Sequence, residues 1–245
     1  MATARKPEPS SQADDPREEF LDHASHELRT PITALKGHVQ LLQRRLRKQE
    51  GRESDLAELN KMMYQIERIN HHLDIYLSAS HIARHKYVVS PTETDLVSTV
   101  RRVVSLYEGG LTAHVITLQA DDEQILGMWD RSRLEEAISA LLANAVKFSS
   151  GGEITVNLSH AGNVARIEIS DQGIGVPTSE RHMIFHPYMH GSNVKNAGAG
   201  LGLYIAHEVV RRHGGRIGVR ARPGGGSIFW STLPIMPPTR LKHTH

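Results

Sequence analysis

Apolar residues recur along the first third of the chain at a helical period. They run Phe20, Ala24, Leu28, Ile32, Leu35, Val39, Leu42 and Leu46, in steps of 4, 4, 4, 3, 4, 3 and 4. Such a stripe predicts a coiled-coil-like helix sustained for about seven turns. Asp15 can cap its start, Pro16 suits the first helical position and Glu18 completes a capping box. The stretch RKQEGRES, centred on Gly51, breaks the period. A second stripe follows at Leu56, Leu59, Met63, Ile66, Ile69, Leu73 and Leu77. Two antiparallel helices with one apolar face each cannot bury those faces alone. Pairing of two copies into a four-helix bundle is the economical solution.

The period changes after HKYVVSP, a linker ending at Pro91. DLVSTVRRVVSLY reads as a helix, HVITLQA as a strand, and RSRLEEAISALLANAVKF as a second helix with its own apolar face. EITVNLS and VARIEIS alternate apolar and polar, as half-buried strands do, with Asn163 in the short turn between them. LGLYIAHEVVRRHGG is a helix stopped by glycines, and RIGVRA and SIFWSTLP close as strands. Antiparallel strand pairs mixed with helices predict an α+β sandwich. The expected organisation is a lead-in over 1–15, rich in Pro, Ser and charge and therefore disordered, then an all-α hairpin over 16–88. An α+β domain over 89–235 and a loose tail over 236–245 complete it.

Composition narrows the partners. Of 245 residues, 39% are hydrophobic and 23% charged, as in globular proteins. With 29 basic against 27 acidic residues, net charge +2, nothing points to nucleic acid or an acidic membrane. The absence of cysteine excludes disulfides, thiolate zinc sites and a cysteine nucleophile. No stretch approaches the roughly 20 apolar residues of a membrane span, and MATARKPEPSSQADD has no apolar signal core. The expectation is a cytoplasmic protein without a transmembrane segment.

The candidate chemistry begins at ASHELRTP, residues 24–31. His26 lies two residues from both Ala24 and Leu28, so at 100° per residue it falls about 160–200° from the apolar stripe. It therefore faces water. A zinc protease helix needs a second His four positions on, and that position is Thr30. Pro31 cannot donate to the Glu27 carbonyl, which bends the helix just after the histidine. An exposed histidine beside a carboxylate and a bent backbone suits a nucleophile that must meet another molecule. From Ser25 to Pro31 the stretch resembles, residue for residue, the H-box of two-component sensor histidine kinases. The resemblance implies that His26 is the phosphoacceptor and that Glu27 hydrogen-bonds one ring nitrogen, raising the nucleophilicity of the other. Thr30 then orients water in hydrolysing the aspartyl-phosphate of a response regulator. The hairpin becomes the dimerisation and phosphotransfer domain of a homodimer.

A phosphohistidine needs a donor. The chain has no P-loop motif and no H-R-D or D-F-G kinase signature. It has instead DQGIG from Asp171, at a strand end, and GAGLGL from Gly198, opening a helix. Asp171 can accept from an adenine amino group while the glycines admit base and backbone. Gly198, Gly200 and Gly202 free N–H groups at a helix start for phosphate oxygens. Together with LLANAVKFS and IFHPYMHG, these motifs resemble, in order, the boxes of the GHKL (Bergerat) ATP-binding domain of histidine kinases, gyrase and MutL. The match covers most of Thr92 to Pro234. It implies ATP and Mg²⁺ as cofactors, with Asn144 on the metal, Lys147 on phosphate and Asp171 on adenine. Phe185 anchors a mobile lid over 182–199, and Gly173, Gly175, Gly198, Gly200, Leu201 and Gly202 complete the nucleotide site.

Two positions depart from the family pattern. The usual first asparagine of the N-box is Ala140, and His190 replaces an arginine before the lid glycine; Lys195 is the substitute cation. The expected function is autophosphorylation of His26 from Mg-ATP, then transfer to an aspartate of a response regulator receiver domain, with dephosphorylation of that regulator. The alternative that Ala140 and His190 favour is a dimeric phosphotransfer or phosphatase scaffold that phosphorylates itself poorly. A GHKL kinase acting on serine, like the anti-sigma-factor kinases, lacks the H-box hairpin. About 15 residues precede the first helix, so the expectation is either an excised core or a short kinase fed by an upstream sensor protein.

Overall fold

The computed structural model describes residues 28, 30–42, 44, 52–84, 86–108, 114–189, 191–192 and 199–236. The first stripe forms a helix, α1, over residues 30–42, and the second forms α2, Arg52–Ala83. Ile32, Val39, Leu59, Ile66, Leu73 and Leu77 remain 37–57% exposed in a single chain. The end of α2 behaves differently. Ser78, Ala79 and Ile82 are buried, and Ile75 and Tyr76 pack against the core of the second unit.

Among the described residues that unit has three α-helices, α3 (Leu96–Glu108), α4 (Arg131–Phe148) and α5 (Gly202–Arg212). Its main sheet has five strands in the order β2 (His114–Ala120), β4 (Gly152–Ala161), β5 (Val164–Ser170), β7 (Ser227–Pro234) and β6 (Arg216–Ala221). Burial alternates along the strands: Ile154, Val156 and Leu158 of β4 and Ile167 and Ile169 of β5 face the helices. α4 answers with Leu134, Ile138, Leu141 and Leu142. The result is a two-layer α/β sandwich with a mostly polar outer sheet face.

Two features differ from the sequence expectation. A separate two-stranded antiparallel sheet joins β1 (Thr92–Asp95) to β3 (Leu126–Trp129), neither of which was expected. Its pairing rests on Trp129, fully buried, whose indole N–H donates to the Pro234 carbonyl at 2.8 Å. Gly127 makes room, because a Cβ there would fall 2.5 Å from that ring. Also, β2 pairs with β4 in parallel, not antiparallel. The chain leaves β2, runs through β3 and α4 and only then enters β4, the kind of crossover that a parallel pair requires.

α4 is started by Asp130, whose Oδ1 accepts from the Arg133 N–H at 3.2 Å and the Ser132 hydroxyl at 2.7 Å. Its Oδ2 accepts from the Ser90 N–H at 2.9 Å. Burial pushes this carboxyl up, but those bonds and the Arg133 charge outweigh it and hold Asp130 below its usual range. The Asp130 N–H donates to His213 Nε2 at 2.9 Å, and His213 Nδ1 is 2.8 Å from the Val209 carbonyl. The start of α4 is thereby tied to the end of α5.

Candidate nucleotide and phosphoacceptor site

At the opposite end of this helix pair lie the glycine motifs. Asp171 follows the last residue of β5 and is 3% exposed. Its Oδ1 accepts from the Gly173 N–H at 2.8 Å and the Ser227 N–H at 3.2 Å, and its own N–H donates to the Ser227 carbonyl at 3.0 Å. Oδ2 takes no hydrogen bond among the described residues. Burial pushes the carboxyl above its usual range, against the two N–H bonds and the charge of Arg222. A buried carboxylate with an unused oxygen suits recognition of an amino group.

The approach of neighbouring backbone explains the glycines here. A Cβ on Gly173 would fall 2.3 Å from the Phe148 carbonyl oxygen. Gly226, at φ 94°, would place a Cβ 2.1 Å from the Asp171 carbonyl oxygen. Gly175 adopts φ 72°, the left-handed region. Gly226, in the β6–β7 turn, and Ser227, the first residue of β7, are absent from the sequence-derived site. The signal that could have found them is the run Gly224, Gly225, Gly226 before β7, all three at positive φ.

Asn144 and Lys147 lie three apart near the end of α4, on one side of the helix, the first half-buried and the second exposed. The Lys147 ammonium stands 5.4 Å over the Phe148 ring. The Phe148 carbonyl accepts from the Ile174 N–H at 3.2 Å, which ties the end of α4 to the Asp171 loop. Ser149 caps that end, its hydroxyl donating to the Ala145 carbonyl at 2.7 Å and lying 2.9 Å from His114 Nε2. Ala140, where a polar ligand was sought, is buried and faces the first turn of α5. A Cβ on Gly202 would rest 3.6 Å from its own Cβ.

α5 begins at Gly202 after Leu201, which is buried and offers no side-chain cap. The carbonyl of Gly200, at φ 65°, accepts from the Tyr188 N–H at 3.1 Å. Phe185 is buried in a short 3-10 turn, Met183–Phe185. Its ring meets Phe229 edge-on at 6.5 Å and His207 at 6.2 Å. The structure thus brings Asp171, Gly173 and Gly175 onto the end of α4 that carries Asn144 and Lys147. It also packs the start of α5 against Ala140 in the middle of that helix. His26 and Glu27, Lys195 and Gly198, and His190 lie outside the described residues. Thr30 is described and exposed in α1, next to a buried Pro31.

Among the described residues no group of three or more His, Asp or Glu side chains could hold a metal ion. No described helix is long and apolar enough to cross a membrane.

Comparison with known proteins agrees with this geometry. Residues 129–237 match the family "Histidine kinase-, DNA gyrase B-, and HSP90-like ATPase", and residues 16–83 match the "His Kinase A (phospho-acceptor) domain". The alginate biosynthesis sensor protein KinB of Pseudomonas aeruginosa is 34% identical over 223 residues, which is 89% of this chain and 37% of that protein. The chain therefore spans little more than a third of that relative. Among solved structures, the mycobacterial sensor histidine kinase MprB superposes with a TM-score of 0.54 at 27% identity, over 61% of this chain and 100% of that one. Full-length ShkA, solved in complex with AMPPNP, gives 0.58 at 26% identity over 90% of this chain and 46% of that one. The chain contains a His Kinase A phospho-acceptor domain followed by a histidine kinase-type ATPase domain, and with that pair it belongs with the sensor histidine kinases.

Proposed function

We propose that the chain is the kinase core of a sensor histidine kinase, which phosphorylates His26 from ATP and passes the phosphoryl group to an aspartate of a response regulator. The observation that carries this reading is Asp171. A carboxylate pushed up by burial, with backbone packed closely on it through Gly173 and Gly226 and one oxygen unused among the described residues, costs stability unless a ligand uses it. AMPPNP bound by the related ShkA supports a nucleotide as that ligand.

In this reading Asp171 Oδ2 accepts from the adenine amino group, and the uncapped start of α5 offers N–H groups to phosphate oxygens. Lys147 adds positive charge beside them. Mg²⁺ would arrive on the ATP phosphates with the Asn144 amide oxygen as protein ligand and would supply neutralisation of phosphate charge. One ring nitrogen of His26 attacks the γ-phosphorus in line; a P–N bond forms, the bond to the bridging oxygen breaks, and ADP leaves with that electron pair. Glu27 accepts from the other ring nitrogen and fixes the tautomer. Thr30 orients water for dephosphorylation of the regulator.

The exposed stripes of α1 and α2 find their natural cover in a second copy, giving a four-helix bundle homodimer. In this reading signal input comes from an upstream sensor protein or segment, a proposal compatible with the greater length of the related KinB. The core then works in the cytoplasm, where ATP is supplied.

The test is incubation with γ-labelled ATP and Mg²⁺, beside His26→Gln and Asn144→Ala. Acid-labile, alkali-stable label on the parent alone is the expected result. AMPPNP binding without label, with regulator present, would replace the kinase by a phosphotransfer scaffold.

A further inference from the structure

Tyr87 lies in the connection between α2 and β1, with Lys86 and Val88 exposed on either side, yet it is itself only 1% exposed. Its hydroxyl donates to Glu136 Oε2 at 2.6 Å. The guanidinium of Arg133 lies 4.4 Å from the ring centroid and that of Arg212 lies 5.5 Å from it. Arg212 Nη1 also donates to the Tyr87 carbonyl at 2.6 Å. One connecting residue therefore grips the first turns of α4 and the last turn of α5. On the other side, Ala79 and Ile82 at the end of α2 are buried in the same core.

The grip is not an apolar weld. Glu136 Oε1 and Arg212 Nε are buried without a hydrogen-bond partner, although Arg212 Nε lies 3.5 Å from Glu208 Oε2. A buried polar joint with unmet atoms gains those bonds from water when it opens, which lowers the cost of opening while the bonds Tyr87 makes keep the closed arrangement favoured. The joint also has leverage. On α4, Asn144 lies eight residues beyond Glu136, about 12 Å along the axis. On α5, Gly202 opens the helix that Arg212 closes. A turn at Tyr87 is delivered as displacement of the nucleotide end.

We infer that Tyr87 is a positioning residue: its grip on Arg133, Glu136 and Arg212 fixes the orientation of the ATPase domain relative to α2, and its release lets that domain turn as a body. Only the catalytic consequence of that motion rests on the kinase reading; the motion itself does not.

The chain has no cysteine, so Asp74→Cys on α2 and Gln119→Cys on β2, both exposed, are the sole sites for a pair of nitroxide labels. Dilution with excess unlabelled chain restricts the measured distances to single chains. The parent is expected to give one narrow distance population. Tyr87→Ala is expected to broaden or shift it, with AMPPNP affinity held within about twofold and unfolding still cooperative. Tyr87→Phe keeps the ring between the arginines, loses the hydroxyl and is expected to fall between the two. It decides the matter if the alanine variant does not fold. An unchanged distribution overturns the proposal. So does a broadened one accompanied by more than about tenfold loss of AMPPNP affinity, which would make Tyr87 an ordinary part of the ATPase fold. Failure of the parent to bind AMPPNP would sink the kinase reading while the distances still decide this one.

Discussion

The two ends of the α4–α5 pair are built on opposite principles. At one end the capping and bridging groups are occupied, Glu136 Oε1 and Arg212 Nε excepted. Asp130 caps α4 and also holds the Ser90 N–H, His213 uses both ring nitrogens, and Tyr87 bonds Glu136. At the other end α5 starts without a side-chain cap and, among the described residues, one oxygen of Asp171 takes no hydrogen bond. The two aspartates make the contrast measurable. Both are drawn up by burial and both accept backbone N–H bonds. Asp130 has three hydrogen bonds with an arginine nearby and ends below its usual range. Asp171 is more deeply buried, concentrates its bonds on one oxygen and ends above it. Satisfied ends hold a fold together, whereas an end left open at a cost is where a ligand is received.

The largest break in this contrast should come from Asp171→Asn. It removes a charged acceptor, and hydrogen bonds to charged groups are worth about 1.5–3 kcal/mol. AMPPNP affinity measured by calorimetry should fall by roughly 100-fold. Stability should not fall with it. A raised folded pKa means that the stability this group contributes at low pH is lost as pH rises through that pKa, so near neutrality the ionised carboxylate is a burden. A parallel loss of melting temperature and affinity would contradict this assignment. Next comes Gly226→Ala, whose Cβ meets the Asp171 carbonyl oxygen in a left-handed backbone. It should cost roughly 1–3 kcal/mol of stability, and weaken AMPPNP binding because it displaces Asp171. Asp130→Ala is the mirror case. Loss of the α4 cap should cost about 1–2 kcal/mol in denaturant unfolding, with nucleotide affinity changed by no more than about twofold. A large affinity loss there would erase the division between the two ends.

The same contrast sets how much was legible in the sequence. Local patterns sufficed for α4, β2, β5, β6 and β7, whose apolar positions follow one period and whose ends carry glycine, proline or a cap. β1 and β3 were hidden because each has four residues and little alternation. TETD also reads as a helix lead-in, since Asp95 accepts from the Val97 and Ser98 N–H groups of α3. Asp171 could be read from DQGIG, but its support could not: Ser227 reaches it from 56 positions away. Tyr87 read as linker because its neighbours are exposed and its partners lie on α4 and α5. The order of strands, too, depends on a crossover that no local period reports.

The smallest expected effect belongs to the satisfied end and is a matter of pH. His213 is buried, and its two contacts assign its protons: the Asp130 N–H can only donate to Nε2, so Nδ1 carries the hydrogen and donates to the Val209 carbonyl. A second proton, on Nε2, would oppose a donor with a donor. Burial pushes this imidazole below its usual range, against the Val209 bond and the charge of Asp130. The unfolded chain takes up that proton near pH 6.5, about the ordinary histidine value, and the folded chain only at lower pH. His213 therefore leaves stability intact above about pH 6.5 and erodes it as pH falls through the folded pKa, by at most about 1.4 kcal/mol per pH unit. His207, also lowered by burial, adds a slope of the same sign, so the parent must be compared with His213→Gln. The variant should start less stable and lose less between pH 6.5 and 5.5, a window well above the ranges of Glu168 and Glu208, both held low by arginines. Equal slopes in parent and variant would mean that the ring already carries both protons, and that the junction of α4 and α5 is held by something other than a neutral bridge.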